Sequence, residues 1–212
     1  MPKSLLDRRY GTGIVVFNWK QSPIDDLDMF GDAYHAAGKL LVEKFENTPG
    51  FAYELIPIFF LYRHAVELYL KAIAYQGAKL LNLTSDDRIA NDPKLLSSHG
   101  LKRYVPLLRK ICSNRGWRMD DKDKGHASLD EIFHFIEELD GIDPKSYAFR
   151  YPVSQLGQGM HPHHTTLDAI HFGKTLDPVL DLLGGMLTGI EHGYDTTAEM
   201  LFEVQELLRS SD

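Results

Sequence analysis

The stretch IFFLYRHAVELYLKAIAY, from Ile58 to Tyr75, is an apolar segment that four ionisable residues interrupt. These residues are Arg63, His64, Glu67 and Lys71. At 100° per residue they share an arc of roughly 100° on a helix, and the rest of the circumference is apolar. A helix with so wide an apolar surface lies at the centre of a fold, so we expect other elements to border its charged arc.

Two interpretations of this charged arc stay open. Glu67 and Lys71 can form an ordinary i, i+4 ion pair, worth about 0.3–0.5 kcal/mol at a surface. Alternatively, the arc lines a site, because the donor fork of arginine suits phosphate or carboxylate and histidine titrates near neutrality. For Arg63 and His64 we favour the second interpretation.

The composition is that of a globular protein, and we predict a single domain over residues 1–212 with residues 1–21 loosely attached. The formal net charge of -7 argues against a broad basic surface for duplex DNA but permits a small basic cleft. No apolar run approaches the ~20 residues that span a bilayer, so we expect no membrane partner. The single cysteine, Cys112, excludes an internal disulfide framework and is typical of a reducing, cytoplasmic location.

Capping and turn residues divide the chain into about five helices. The first expected helix is capped by Ser22, and the second runs over about 52–78. The third is capped by Ser97 or Ser98 and kinked at Pro106, and the fourth runs from a Ser128–Glu131 capping box to Gly141. A further helix is capped by Thr175, and the last runs over 196–211. Two extended runs between about 147 and 172 predict a short β-hairpin. The predicted fold is therefore an all-α, antiparallel helical bundle with a minor β-hairpin.

Three motifs in order resemble the HEPN superfamily (higher eukaryotes and prokaryotes nucleotide-binding), in particular uncharacterised bacterial HEPN-like proteins. They are LYRHAVELYLKAI (61–73), SHGLKRYVPLL (98–108) and DPKSYAFRYPVS (143–154). The resemblance implies a bundle of four to five helices that is often dimeric. Many members are metal-independent ribonucleases in toxin–antitoxin, phage-defence or RNA-processing systems, and others bind nucleotides, RNA or partner proteins without catalysis.

The chain departs from the nuclease signature of that superfamily, in which four to six residues separate an arginine from a histidine. The nearest spacing is Arg118 to His126, with seven residues between them. The departure puts standard nuclease activity in doubt but does not remove the fold that the resemblance implies.

Candidate site residues come from the three motifs. Metal-free RNA cleavage needs a cation for the phosphorane, which Arg63 or Arg150 could supply, and a proton carrier, which His64 or His99 could supply. Ligand contacts are expected from Arg63, Glu67, Lys71 and Tyr151. Two structural alternatives stay open: His99 caps its own helix, and Arg150 with Tyr151 holds the predicted hairpin against the bundle.

The first hypothesis is a HEPN-like protein that binds or acts on RNA or a nucleotide in a defence or toxin–antitoxin setting. The alternative is a non-catalytic module for dimerisation or partner binding, and a small-molecule sensor is a third, weaker idea. We expect no cofactor and no metal, and interpret the histidine loop at His161, His163 and His164 as solvated. A homodimer is the expected oligomer.

Overall fold

The computed structural model describes residues 23–48, 50–84, 96–118, 128–154, 156–159 and 166–210. The 1–21 segment and the loop histidines His161, His163 and His164 lie outside these ranges. Five α-helices account for most of the described residues: α1 (Leu27–Asn47), α2 (Ala52–Thr84), α3 (Val105–Asn114), α4 (Leu129–Ile142) and α5 (Ala169–Arg209). The prediction of an all-α fold is confirmed.

The central element is α2, as its apolar circumference predicts. Eighteen of its residues are buried, and they pack against α1, α3 and α5. Gly38 of α1 lies against Tyr62 and Gly31 against Tyr69, so α1 and α2 run antiparallel. On the other side of α2, Tyr62 OH donates a hydrogen bond to Asp177 of α5, and Tyr69 lies against Gly184 of the same helix. Consequently α2 and α5 run parallel, so the predicted antiparallel arrangement does not hold for this pair.

The helix boundaries differ from the predicted ones where packing overrides local signals. α2 continues to Thr84, six residues past the predicted end, because Leu80 and Leu81 are buried in the core. Pro106 does not kink α3, because that helix begins one residue earlier and a proline is tolerated in the first turn. The predicted capping box of α4 is confirmed: Ser128 Oγ accepts from Glu131 N at 3.2 Å.

α5 replaces two predicted helices and part of the predicted hairpin. Asp168, not Thr175, caps it by accepting hydrogen bonds from Ile170 N and His171 N. Once that cap starts a helix, the residues that follow it cannot form the second strand. In the described part of 147–172, the only strand-like pairing is one antiparallel bridge between Val153 and Gly159. A β-hairpin is therefore not confirmed.

Candidate functional site

A network of ionisable side chains, which we call the buried network, joins α2 to two loops and consists of the buried residues Arg63, Glu67, Lys71 and Asp143 and the half-exposed His99. Arg63 and Glu67 are 0% exposed and Asp143 is 1% exposed. Arg63 Nη1 donates a hydrogen bond to Glu67 Oε2 at 2.7 Å. The other carboxylate oxygen, Oε1, lies 2.7 Å from Lys71 Nζ and 2.8 Å from His99 Nδ1. The i, i+4 spacing of the sequence thus brings both cations to one carboxylate, but inside the protein rather than at its surface.

Arg63 connects this network to the two loops through backbone carbonyls. Its Nη2 donates to His99 O at 2.5 Å, and its Nε donates to Asp143 O at 3.1 Å. Asp143 in turn accepts hydrogen bonds on Oδ1 from Tyr147 N at 2.8 Å and Ala148 N at 3.1 Å. The buried arginine therefore holds the turn that carries Tyr147 and the residues after it.

The charges of the network are matched, which makes its burial tolerable. Two carboxylates, Glu67 and Asp143, face two cations, Arg63 and Lys71, and Arg63 Nε lies 3.4 Å from Asp143 Oδ2. Burial alone would raise the pKa of Glu67. The hydrogen bond and charge of Lys71, the charge of Arg63 and the hydrogen bond of His99 outweigh it and hold that pKa below its usual value. Glu67 is thus an anion at neutral pH.

A second group of side chains, which we call the aromatic platform, lies at the surface and consists of Phe60, Tyr147, Arg150 and Tyr151. The Arg150 guanidinium carbon lies 5.1 Å from the ring centre of Tyr147, 5.7 Å from that of Phe60 and 5.9 Å from that of Tyr151. Arg150 Nε donates to Ser146 O at 2.5 Å, and this hydrogen bond holds the Nε side of the guanidinium in place. Tyr151 is 51% exposed, so the platform presents aromatic faces and a positive charge to solvent.

His64 lies beneath the platform rather than in the buried network. Its ring stacks on Phe60 at 5.4 Å between ring centres and lies perpendicular to the ring of Tyr34 at 4.5 Å. Burial lowers the pKa of His64, and the charges of Lys71, Arg63 and Arg150 lower it further, against the opposing charge of Glu67. His64 is therefore a neutral, half-buried ring at physiological pH that supports Phe60.

The structure thus divides the predicted site residues into two groups. Arg63, Glu67, Lys71 and His99 meet in the buried network, whereas Arg150, Tyr151 and His64 belong to the platform or its underside. His99 does not cap a helix with its ring, which instead contacts Glu67 while half of its side chain stays exposed. The two arginines, both candidates for the same cationic role, do not share one cleft.

The sequence reasoning missed Asp143 and Tyr147, which connect the two groups. A usable signal was present, because Asp143 precedes a proline and aspartate before proline favours a turn in which its side chain accepts backbone N–H groups. It also missed a polar contact that is separate from both groups. Tyr62 OH donates to Asp177 Oδ1 at 2.8 Å, and the same oxygen lies 2.8 Å from His35 Nε2.

Within the described ranges, no group of three or more His, Cys, Asp or Glu side chains is arranged to hold a metal ion. Of the helices that the structure describes, none has both the length and the apolar character to cross a membrane. No protein-family model matches the chain, and no curated protein or solved structure matches it either.

Proposed function

We propose that this protein is a HEPN-like module that binds RNA or a nucleotide on its aromatic platform without cleaving it. The observation that carries the proposal is the exposed Arg150 guanidinium among the rings of Phe60, Tyr147 and Tyr151. The motif resemblance supports the ligand class, and through it we also propose a role in bacterial defence or a toxin–antitoxin system.

The chemistry of the platform suits an unpaired base beside a phosphate. Aromatic side chains stack on the faces of bases irrespective of sequence, and an arginine next to them supplies charge for the backbone. Tyr147 and Tyr151 lie 5.7 Å apart between ring centres, and both are exposed. A single-stranded segment or a mononucleotide fits this surface better than a duplex, because duplex bases hide their faces from stacking.

The buried network argues against catalysis by Arg63. To reach a phosphate, its guanidinium would have to leave Glu67, the His99 carbonyl and the Asp143 carbonyl, all within hydrogen-bond distance. Breaking such a pair leaves a buried charge uncompensated. The network instead positions the turn below the platform, so Arg63 acts on binding through Asp143 and Tyr147. The ribonuclease hypothesis would need Arg150 with His64 or His99.

Fluorescence anisotropy with a labelled single-stranded RNA of mixed sequence and with labelled adenine and guanine nucleotides tests the proposal. Tyr151→Ala removes one stacking face, so we expect its Kd to rise roughly tenfold, the effect of about 1–3 kcal/mol per stacked base. Arg150→Ala should weaken binding and reduce its salt dependence. The matched control is Arg209→Ala, which removes the same charge at the far end of α5.

Incubation of the same RNA with the protein and a chelator separates binding from cleavage. Intact RNA with platform-dependent binding supports the proposal. Chelator-resistant cleavage that Arg150→Ala, His64→Ala or His99→Ala abolishes would replace it with the ribonuclease hypothesis. Binding that Arg209→Ala weakens as much as Tyr151→Ala would place the ligand elsewhere on the protein.

A homodimer, the oligomer that the resemblance implies, is our second proposal and involves a different part of the molecule.

A further inference from the structure

The C-terminal end of α5 extends past the other helices. Tyr69 of α2 lies beside Gly184, and the charges of Lys79 and Glu191 interact, so the end of α2 at Thr84 is level with about residue 196. The last eleven residues of α5, from Glu199 to Arg209, are all exposed. At 1.5 Å per residue they form a helical extension of about 16 Å.

One face of this extension is an apolar stripe. The stripe consists of Met200, Leu201, Val204, Leu207 and Leu208, which are between 41% and 68% exposed. Around Val204 these positions span an arc of about 120°, at the spacing of an amphipathic helix. The charged residues Glu199, Glu203, Glu206 and Arg209 all fall outside that arc.

We infer that this stripe pairs with the same stripe of a second copy in an antiparallel, two-fold arrangement centred near Val204. The inference rests on the proposed homodimer and assigns its contact surface. The stripe is symmetric about Val204, so reversal of the helix brings Met200 opposite Leu208 and Leu201 opposite Leu207. No charge lies on the stripe itself, so the contact between its apolar side chains buries no ionised group.

Sterics select the antiparallel direction. Paired helices lie about 8–10 Å apart, which is less than the width of a helical bundle. Two parallel extensions would bring both bundles to the same end, where they would collide. Antiparallel extensions place the bundles at opposite ends of the pair.

The buried area fits a reversible dimer. An exposed leucine-sized side chain offers on the order of 100 Å² of apolar area, so five per copy bury about 1,000 Å² in the pair. That total is at the lower limit of specific interfaces, about 1,000–1,200 Å². An interface of this size is typical of weak or transient association, so we expect dimerisation that depends on protein concentration.

Sedimentation velocity of the full chain between about 1 and 200 µM tests the pairing. The wild type should shift from monomer to dimer over this range, and Val204→Arg should stay monomeric. Phe202→Arg is the matched control, because Phe202 is 63% exposed yet lies about 160° from Val204 on the same helix. This control should dimerise like the wild type. Both changes are at exposed positions, so neither should alter folding.

Cysteine cross-linking gives an independent readout. The native Cys112 is 0% exposed and burial raises its pKa to about 11, so an introduced cysteine is the reactive thiol. Val204→Cys should form a disulfide-linked dimer under mild oxidation, and Phe202→Cys should not. A wild type that is monomeric at 200 µM would overturn both the homodimer and this interface. A dimer that Val204→Arg leaves intact would overturn the interface alone.

Discussion

Arg63 and Arg150 show how differently one residue type is used in the two regions of this molecule. Arg63 lies at 0% exposure between Glu67 and two backbone carbonyls, where its charge is neutralised and its donors are directed inward. Arg150 lies at the surface, with one hydrogen bond to Ser146 and three aromatic rings around its fork. The first arginine organises the fold, and the second is available to a ligand. Burial, rather than residue type or motif position, separates the two roles.

The largest effect should come from removing the buried arginine. Arg63→Ala leaves the charge of Glu67 inside the protein with one fewer partner, so we expect the free energy of unfolding to fall by about 3–5 kcal/mol. Arg150→Ala, the matched change at the surface, should alter it by less than about 0.5 kcal/mol. Urea unfolding at neutral pH measures both, and equal losses in the two variants would contradict the division between the regions.

A comparable effect, felt in both regions, is expected from Asp143→Ala. The substitution removes one of the two carboxylates that balance the buried Arg63 and Lys71, and with it the acceptor of Tyr147 N and Ala148 N, so we expect the free energy of unfolding to fall by about 3–5 kcal/mol. The turn that carries the platform should loosen, so RNA or nucleotide affinity should fall together with stability. Asp130→Ala, at an exposed aspartate that pairs with Arg109, is the control. Normal affinity in a destabilised Asp143→Ala protein would mean that the network does not position the platform.

The pH dependence of stability tests the contact between the two regions at His64. Its pKa is lower in the folded protein than the usual 6.5, so the unfolded chain binds more protons as the pH falls through that value. The contribution of His64 to stability is therefore fully present above pH 6.5 and decreases as the pH falls toward the folded pKa. Melting temperatures at pH 7.5, 6.5 and 5.5 should decline less in His64→Gln than in the wild type. His134→Gln, at an exposed position, should follow the wild type, and a parallel decline in all three would refute the role of His64.

The lowered pKa of Glu67 places a second loss of stability at more acidic pH. Its anion stabilises the fold above the usual carboxyl pKa of 4.5, and that contribution disappears as the pH falls through the lower folded value. The two losses are separable, because the His64 phase begins near 6.5 and the Glu67 phase begins below 4.5.

The smallest stability effect is expected at the platform itself. Tyr151→Ala removes a half-exposed ring with no role in the core, so the free energy of unfolding should change by less than about 0.5 kcal/mol. The same variant should lose most of its affinity for RNA or nucleotide. A large loss of affinity with little loss of stability would show that the Tyr151 ring serves binding. A loss of several kcal/mol would indicate that Tyr151 holds the turn against the bundle, the structural alternative that the sequence also allowed.

The sequence by itself determined the helical class, the central position of α2 and the cap of α4. Each of these rests on local chemistry: an apolar circumference over 58–75, and a serine three residues before a glutamate. It also determined that Glu67 could pair with Arg63 and Lys71, because residues four apart on a helix are neighbours.

Only the tertiary structure decided which charged residues are buried and which face solvent. Arg63 donates hydrogen bonds to the backbone carbonyls of Asp143 and His99, which lie 80 and 36 residues away in the chain, and no local spacing encodes such contacts. The same holds for the single long α5, whose Gly189 and Gly193 are covered by Trp117 and Arg115 from another part of the fold. Local spacing determines which side chains share a face of a helix, and long-range packing determines which of the charged ones are exposed to water.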